Sequence, residues 1–137
     1  MLEKYRSDIY ACHRCGLCRA KYSDEVRYVC PIREHTGGFE YSFARGRIQI
    51  AKGILENRLP YSGSLVDVIY KCLLCGNCRE LCGKKDPVTG TWIIDHTAIF
   101  KAIREDIVSL GLMPHVHKKI DSSIKKHYEL YKEPHVN

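Results

Sequence analysis

Apolar residues recur at helical spacing through the middle of the chain. Between Ser42 and Glu56 they follow one another at intervals of three and four residues, which is the pattern of one buried face of an α-helix. Three basic residues, Arg45, Arg47 and Lys52, are expected to lie off this face. The apolar positions that predict the helix are Phe43, Ala44, Ile48, Ala51, Ile54 and Leu55.

The chain then turns and begins a shorter helix. Residues 57–63 contain Pro60 and several turn formers, so the first helix is expected to end there. The sequence Ser64-Leu-Val-Asp67 resembles a capping box and predicts the start of a short helix that leads into Cys72.

Two further helices are predicted in the C-terminal half. A polar loop at residues 83–90 precedes a long amphipathic helix between Ile94 and Leu110, with Gly111 as its C-terminal stop. Apolar spacing also predicts a last helix from Val116 to Tyr131. Strand patterns are scarce, so the sequence predicts a mainly α fold with loops packed among short helices.

Length and composition fit one small domain. The chain has 137 residues and 45% apolar residues, which predicts a single domain over residues 1–137 with a helical extension at about 115–137. No apolar run approaches the length of a membrane span. Residues 1–20 contain no apolar core of a secretory signal. We therefore expect a cytoplasmic protein, with membrane association only through a partner.

Eight cysteines form two near-copies of one pattern, about sixty residues apart. A C-x2-C-x2-C-x3-C run is how a bacterial ferredoxin holds its [4Fe–4S] clusters, because three cysteines on one loop reach three irons and a remote cysteine reaches the fourth. Each copy also contains a Cys-Gly step, where a side chain would crowd a cluster. The first cysteine run is Cys12, Cys15 and Cys18, followed by Cys30-Pro31, and the second is Cys72, Cys75 and Cys78, followed by Cys82.

Three other uses of the cysteines are open at this point. A disulfide scaffold is disfavoured by the missing signal and by the modest cysteine density. Zinc sites usually combine pairs of cysteines, whereas each copy here has three closely spaced cysteines and one further cysteine. A single cluster with four incidental cysteines is the third alternative.

The net charge does not indicate a nucleic-acid partner. The formal charge is +6, but two clusters, each with four thiolates and a net charge of about −2, would lower it to about +2. No basic stripe interleaved with aromatic residues is present. We therefore expect no nucleic-acid binding.

The whole pattern resembles the α-helical dicluster ferredoxins. These occur in succinate dehydrogenase and fumarate reductase iron–sulfur proteins. The chain also resembles, more closely than it resembles those proteins, the ferredoxin component of heterodisulfide reductase and the ferredoxin regions of glycolate oxidase iron–sulfur subunits. Besides the cysteine runs, the resemblance rests on the Arg45-Gly46-Arg47 step, the helical segment from Ile99 to Val108, and the break Gly111-Leu-Met-Pro114.

The resemblance implies two [4Fe–4S] clusters with crossed ligands. If this chain follows the family, one cluster is bound by Cys12, Cys15, Cys18 and Cys82. Cys72, Cys75 and Cys78 would share the other with Cys30. Two features depart from the family: eleven residues separate Cys18 from Cys30 where three are usual, and Cys82 is followed by glycine where proline is usual.

The implied function is electron transfer without catalysis by this chain alone. As in the family, the chain would relay electrons between a flavoprotein, hydrogenase-type or other donor protein and a catalytic partner with CCG domains. A stand-alone redox-sensing or structural cluster protein is the alternative. Among other candidate residues, His13 is a weaker potential ligand, and His115 and His117 are expected to be solvated. Three roles are open for the basic residues Arg45, Arg47, Lys84 and Lys85: a docking face for an acidic partner, a means of raising the cluster potential, or an ordinary solvated surface.

Overall fold

The computed structural model describes residues 1–20 and 28–130. These residues form helices and loops and contain no β-strand, which confirms the predicted mainly α fold. Short 3-10 helices lie at Leu2–Tyr5, Leu17–Arg19 and Glu40–Ser42. The α-helices are α1 (Arg6–Tyr10), α2 (Pro31–His35), α3 (Ala44–Leu55), α4 (Gly63–Tyr70), α5 (Asn77–Glu80), α6 (His96–Ser109) and α7 (His115–His127).

The core lies where α3 and α4 pack against α6. Each of these helices turns one apolar face inward, so that Ile48, Ile69 and Ile103 have no exposed surface. The first helical turns of the chain close the same core with Leu2 and Ile9, both 1% exposed. Burial of these side chains removes apolar surface from water, which is the main favourable contribution to folding.

Side-chain caps set the start of two helices. The hydroxyl of Ser62 accepts a hydrogen bond from the Leu65 amide at 3.3 Å, and the Asp95 carboxylate accepts one from the Ala98 amide at 3.0 Å. The predicted cap at Ser64 is wrong, because Ser62 has the extended backbone of a capping residue and Ser64 is already helical. The helix therefore starts earlier in the chain than predicted.

Arg47 is buried, which contradicts the expectation that it lies off the apolar face. Its side chain is 1% exposed. Position 47 lies three residues after Ala44 and four before Ala51, so a helix places it on the same face as these two buried alanines. An arginine in that stripe enters the interior, and a basic docking face that includes Arg47 is excluded.

The polar loop after the second cysteine run folds back on itself. Lys85 and Trp92 form an isolated antiparallel bridge, and the Ile93 amide donates to the Lys84 carbonyl at 3.0 Å. The loop predicted at residues 83–90 is therefore closed at its base, which returns the chain to the start of α6.

The C-terminal helix packs through aromatic contact. The ring of His117 lies edge-on to that of Tyr70, with 5.0 Å between the centroids, so His117 makes a protein contact although it is exposed, whereas His115 faces solvent. The helix ends at His127, where Tyr128 takes a left-handed backbone conformation, so the predicted extension to Tyr131 is wrong. No helix in the described part of the chain is long and apolar enough to cross a membrane. The single-domain assignment stays a prediction.

Gly46 lets α3 approach the preceding 3-10 helix. A Cβ atom at position 46 would lie 2.0 Å from the Glu40 carbonyl oxygen and 2.9 Å from the Tyr41 amide nitrogen. Both are backbone atoms that cannot rotate away. The close packing of α3 against residues 40–42 therefore requires glycine at this position.

We predict that Gly46→Ala destabilises the protein by about 1–3 kcal/mol or more, because the helix must move off its neighbour. The measurement is the urea midpoint of anaerobically prepared protein. Gly63→Ala is the matched control, since a Cβ there meets nothing within 4 Å, and it should change stability by less than about 1 kcal/mol. Equal midpoints for the two variants would contradict the close packing at Gly46.

Candidate metal centre

The two cysteine runs have the same backbone conformation. In the first run Arg14 and Gly16 have positive φ angles of 56° and 89°. The corresponding residues of the second run, Leu74 and Gly76, have φ angles of 55° and 84°. These left-handed residues curl each loop and bring its cysteines toward one side. The internal repeat of the sequence is thus also a repeat of structure.

Each run ends in a short helix that carries its third cysteine. The amide of Arg19 donates to the Gly16 carbonyl at 2.9 Å, and the amide of Arg79 donates to the Gly76 carbonyl at 2.8 Å. The 3-10 helix with Cys18 packs against α5, which contains Cys78. The two runs therefore face each other across this contact.

The first cavity, of about 250 Å³, is lined by the three cysteines of the first run and by Cys82. Arg45, Lys84 and the buried His96 complete part of its wall. Cys15 is exposed, while Cys12, Cys18 and Cys82 are half-buried. The structure thus brings a cysteine of the second copy to the cysteines of the first.

The second cavity shows the reciprocal arrangement. It is lined by Cys72, Cys75 and Cys78 together with Cys30. Arg47 contributes to its wall from α3. This cavity has a smaller volume, about 20 Å³.

Hydrogen bonds hold Cys30 at the second cavity despite the long spacing from Cys18. The Val29 amide donates to the Ala20 carbonyl at 3.0 Å, so the inserted segment returns close to its starting point. Asn77 in α5 donates to the Val29 carbonyl at 3.4 Å, and the Cys30 thiol donates to the Ser42 carbonyl at 3.5 Å. Residues 21–27 of the insertion lie outside the described part of the chain.

The segment that carries Cys82 is fixed by the start of α6. The Cys82 amide donates to the Arg79 carbonyl at 3.0 Å, and the Arg79 guanidinium bonds the Asp95 carboxylate at 3.2 Å. A Cβ atom at Gly83 would lie 3.3 Å from the Leu17 side chain. The glycine that replaces the usual proline thus lies in close contact with the first run.

Burial raises the pKa of three thiols. The pKa of Cys18 rises to about 11 and that of Cys78 to about 12, and the pKa of Cys82 is also raised. Neighbouring thiolates add to the effect of burial: Cys15 and Cys12 act on Cys82, and Cys72, Cys18, Cys75 and Cys30 act on Cys78. These buried thiols need a nearby positive charge, such as a metal, to become thiolates at neutral pH.

The donor sets suit an iron–sulfur cluster. Each cavity offers four sulfur donors, the number that a [4Fe–4S] cluster requires. A zinc ion would need its thiolates within about 2.3 Å of one point, whereas no group of three or more potential ligands among residues 1–20 and 28–130 is close enough to hold one ion. Gly16 leaves room for Arg45 beside the first loop. A Cβ atom at position 16 would lie 3.1 Å from the Arg45 guanidinium.

Comparison with known families agrees with this donor set. Residues 8–85, more than half of the chain, match the model of the 4Fe-4S dicluster domain. The chain belongs to the 4Fe-4S dicluster domain family. No curated protein and no solved structure matches it. Family membership confirms an α-helical iron–sulfur ferredoxin that binds [4Fe–4S] clusters and transfers electrons.

Sequence reasoning missed two residues at the site. His96 is 3% exposed and lines the first cavity, and burial lowers its pKa, so that its ring is neutral at neutral pH. Arg104 in α6 donates through Nη2 to the Cys72 carbonyl at 2.5 Å and to the Ile69 carbonyl at 3.3 Å. His96 is the first residue of α6, and no residue pattern in the sequence connects it with the first cysteine run.

Arg104 caps α4 where the chain enters the second cysteine run. The last carbonyl groups of a helix lack partners within the helix, and a cation there also interacts favourably with the helix dipole. Because the Arg104 guanidinium also lies over the ring of Tyr70, 4.8 Å from its centroid, it ties α6 to the beginning of the second run.

We predict that Arg104→Ala lowers stability by about 1–3 kcal/mol, because partly buried carbonyl groups lose their donor. It should also speed iron loss from the second run more than from the first. Urea midpoints and iron release to a chelator are the measurements. Lys101→Ala, at an exposed position of the same helix, is the control. Equal iron loss from both runs would contradict the specific anchoring of Cys72.

Proposed function

We propose that this chain is an electron-transfer protein with two [4Fe–4S] clusters, and that it works within a complex that resembles heterodisulfide reductase. The supporting observation is that each of the two cavities is lined by three cysteines of one run and by the fourth cysteine of the other copy. In this proposal Cys12, Cys15, Cys18 and Cys82 bind the first cluster, and Cys72, Cys75, Cys78 and Cys30 bind the second.

The ligand sets favour a relay over catalysis. Four thiolates for each cluster leave no iron open to a substrate, so each cluster would only accept and pass on single electrons. The residues of this chain hold the clusters, screen part of their surface from water and set their distance from each other. Substrate chemistry is then assigned to a partner with CCG domains, and electron supply to a flavoprotein or hydrogenase-type partner.

The exposed middle cysteines indicate where partners would dock. Cys15 and Cys75 are exposed, whereas the other six cysteines are half-buried. His13 and Arg14 are exposed beside Cys15, and Leu73 is 64% exposed beside Cys75. Electrons would enter and leave through these two faces. Cys18 and Cys78 lie between the cavities, where the raised pKa of Cys78 reflects in part its proximity to Cys18.

We predict that anaerobically purified protein contains about eight iron and eight labile sulfide per chain. Dithionite should bleach its visible absorption, and the reduced chain should show no steady turnover of a disulfide substrate without a partner. Metal and sulfide analysis and anaerobic spectroscopy are the measurements. Zinc in place of iron would overturn the cluster assignment, and steady disulfide reduction would overturn the relay.

Crossed ligation is testable with four alanine variants. Cys15→Ala and Cys75→Ala each remove a ligand within one run and so serve as references for the loss of the first and the second cluster. We predict that the electron paramagnetic resonance spectrum of reduced Cys82→Ala matches that of Cys15→Ala, and that Cys30→Ala matches Cys75→Ala. Alanine is used because a serine oxygen could replace the thiolate.

Crossed ligation would be contradicted if the spectrum of each remote-cysteine variant matched the reference variant from its own copy. If each cluster took four ligands from its own copy, Cys82→Ala would match Cys75→Ala instead. Loss of both signals in every variant would show that neither cluster forms without the other, and the ligands would then be assigned from the iron positions in crystals of wild-type protein.

A further inference from the structure

Arg47 places a buried positive charge in the wall of the second cavity. Its side chain is 1% exposed, and its Nε atom donates to the Val68 carbonyl at 3.4 Å. Its Nη2 atom is buried and has no hydrogen-bond partner. No ion pair joins Arg47 to another residue of the described part of the chain. A buried guanidinium in this situation is strongly unfavourable unless a negative group compensates it.

The first cavity differs in its charge. Its arginine, Arg45, bonds the Glu40 carboxylate through Nη2 at 2.8 Å and the Arg14 carbonyl through Nη1 at 3.2 Å. The charge of Arg45 is therefore neutralised by a carboxylate, and its side chain is partly exposed to water. The other two basic residues of this wall are Arg14, which is exposed, and Lys84, which is partly exposed, so water screens their charges. Nothing comparable among the described residues pairs with Arg47, although the two arginines lie two positions apart on α3.

We propose that Arg47 is the counter-charge and hydrogen-bond donor of the second cluster, and that it makes this cluster the easier of the two to reduce. The inference rests on the proposed function, since it takes the thiolates of Cys30, Cys72, Cys75 and Cys78 as the ligands. Reduction adds one electron and so makes the cluster more negative. A fixed positive charge and an N–H donor beside the sulfurs favour the reduced form.

This arrangement gives the relay a direction. Electrons move spontaneously from the site that is harder to reduce to the site that is easier to reduce. With a neutralised arginine at the first cavity and an uncompensated one at the second, electrons would rest on the second cluster. The face around Cys75 would then be the exit toward the acceptor, and the face around Cys15 the entrance.

The test is a redox titration of Arg47→Met and Arg47→Lys, monitored by electron paramagnetic resonance. Methionine removes the charge and the donor but keeps most of the volume, and lysine keeps the charge. We expect Arg47→Met to lower the ratio of reduced to oxidised second cluster at a fixed potential at least tenfold, which corresponds to about 59 mV for one electron. Arg47→Lys should produce a smaller decrease.

Lys52→Met is the matched control, because it removes one positive charge from the same helix at a partly exposed position. It should change the ratio less than twofold. An equal shift in Lys52→Met and Arg47→Met, a shift confined to the first cluster, or no shift would overturn the proposal. These outcomes would leave the proposed function intact if wild-type protein holds two clusters.

Iron counts keep the test decisive if Arg47→Met does not bind the second cluster. Loss of four irons in Arg47→Met, with eight retained in Arg47→Lys, would support a counter-charge at the second site. Loss of iron from both sites in Arg47→Met, or loss of the second cluster in Arg47→Lys as well, would indicate that Arg47 mainly supports packing and would contradict the proposal.

Discussion

The arrangement of eight thiols around two cavities is the constraint on which the rest of the structure depends. Three sulfurs at each cavity come from one loop and the fourth comes from a distant segment of the other half of the chain. Neither set is complete until the two halves of the chain dock. The contact between the Cys18 turn and α5, and the hydrogen bond from Asn77 to the Val29 carbonyl, are local interactions that bring the halves together.

The remaining elements can be understood as supports for these loops. Packing of α3 and α4 against α6 buries a small aliphatic core. The first cysteine run follows α1, and the second follows α4. Left-handed residues then curl each run in the same way. Arg104 anchors the second run, while Asn77 and Ser42 hold the segment with Cys30. The polar groups of the loops are thus fixed by the helices around them.

Sequence periodicity was sufficient to predict the helices, and cysteine spacing was sufficient to predict the chemistry. α3 and α6 fall within the predicted stretches, because their apolar faces are long and regular. The cap at Ser62 was missed, since serine occurs at both positions 62 and 64 and only the backbone conformation distinguishes them. The burial of Arg47 was also missed, because a charged residue is normally assigned to the surface even where helical spacing places it inside.

The electrostatic difference between the two sites could not be predicted from the sequence. Arg45 and Arg47 look alike in the chain, yet one meets Glu40 and the other meets no carboxylate of the described residues. Which arginine is neutralised depends on the path of residues 40–42 over α3. Under the proposed function, this tertiary difference would give two clusters with identical ligand types different potentials.

The most direct test of crossed ligation is the position of iron in crystals of anaerobically prepared protein, located by anomalous scattering at the iron edge. We predict two clusters of four irons each, one bound by Cys12, Cys15, Cys18 and Cys82 and the other by Cys72, Cys75, Cys78 and Cys30, with one cysteine to each iron. A single cluster, or a cluster bound by four cysteines of one copy, would contradict this arrangement.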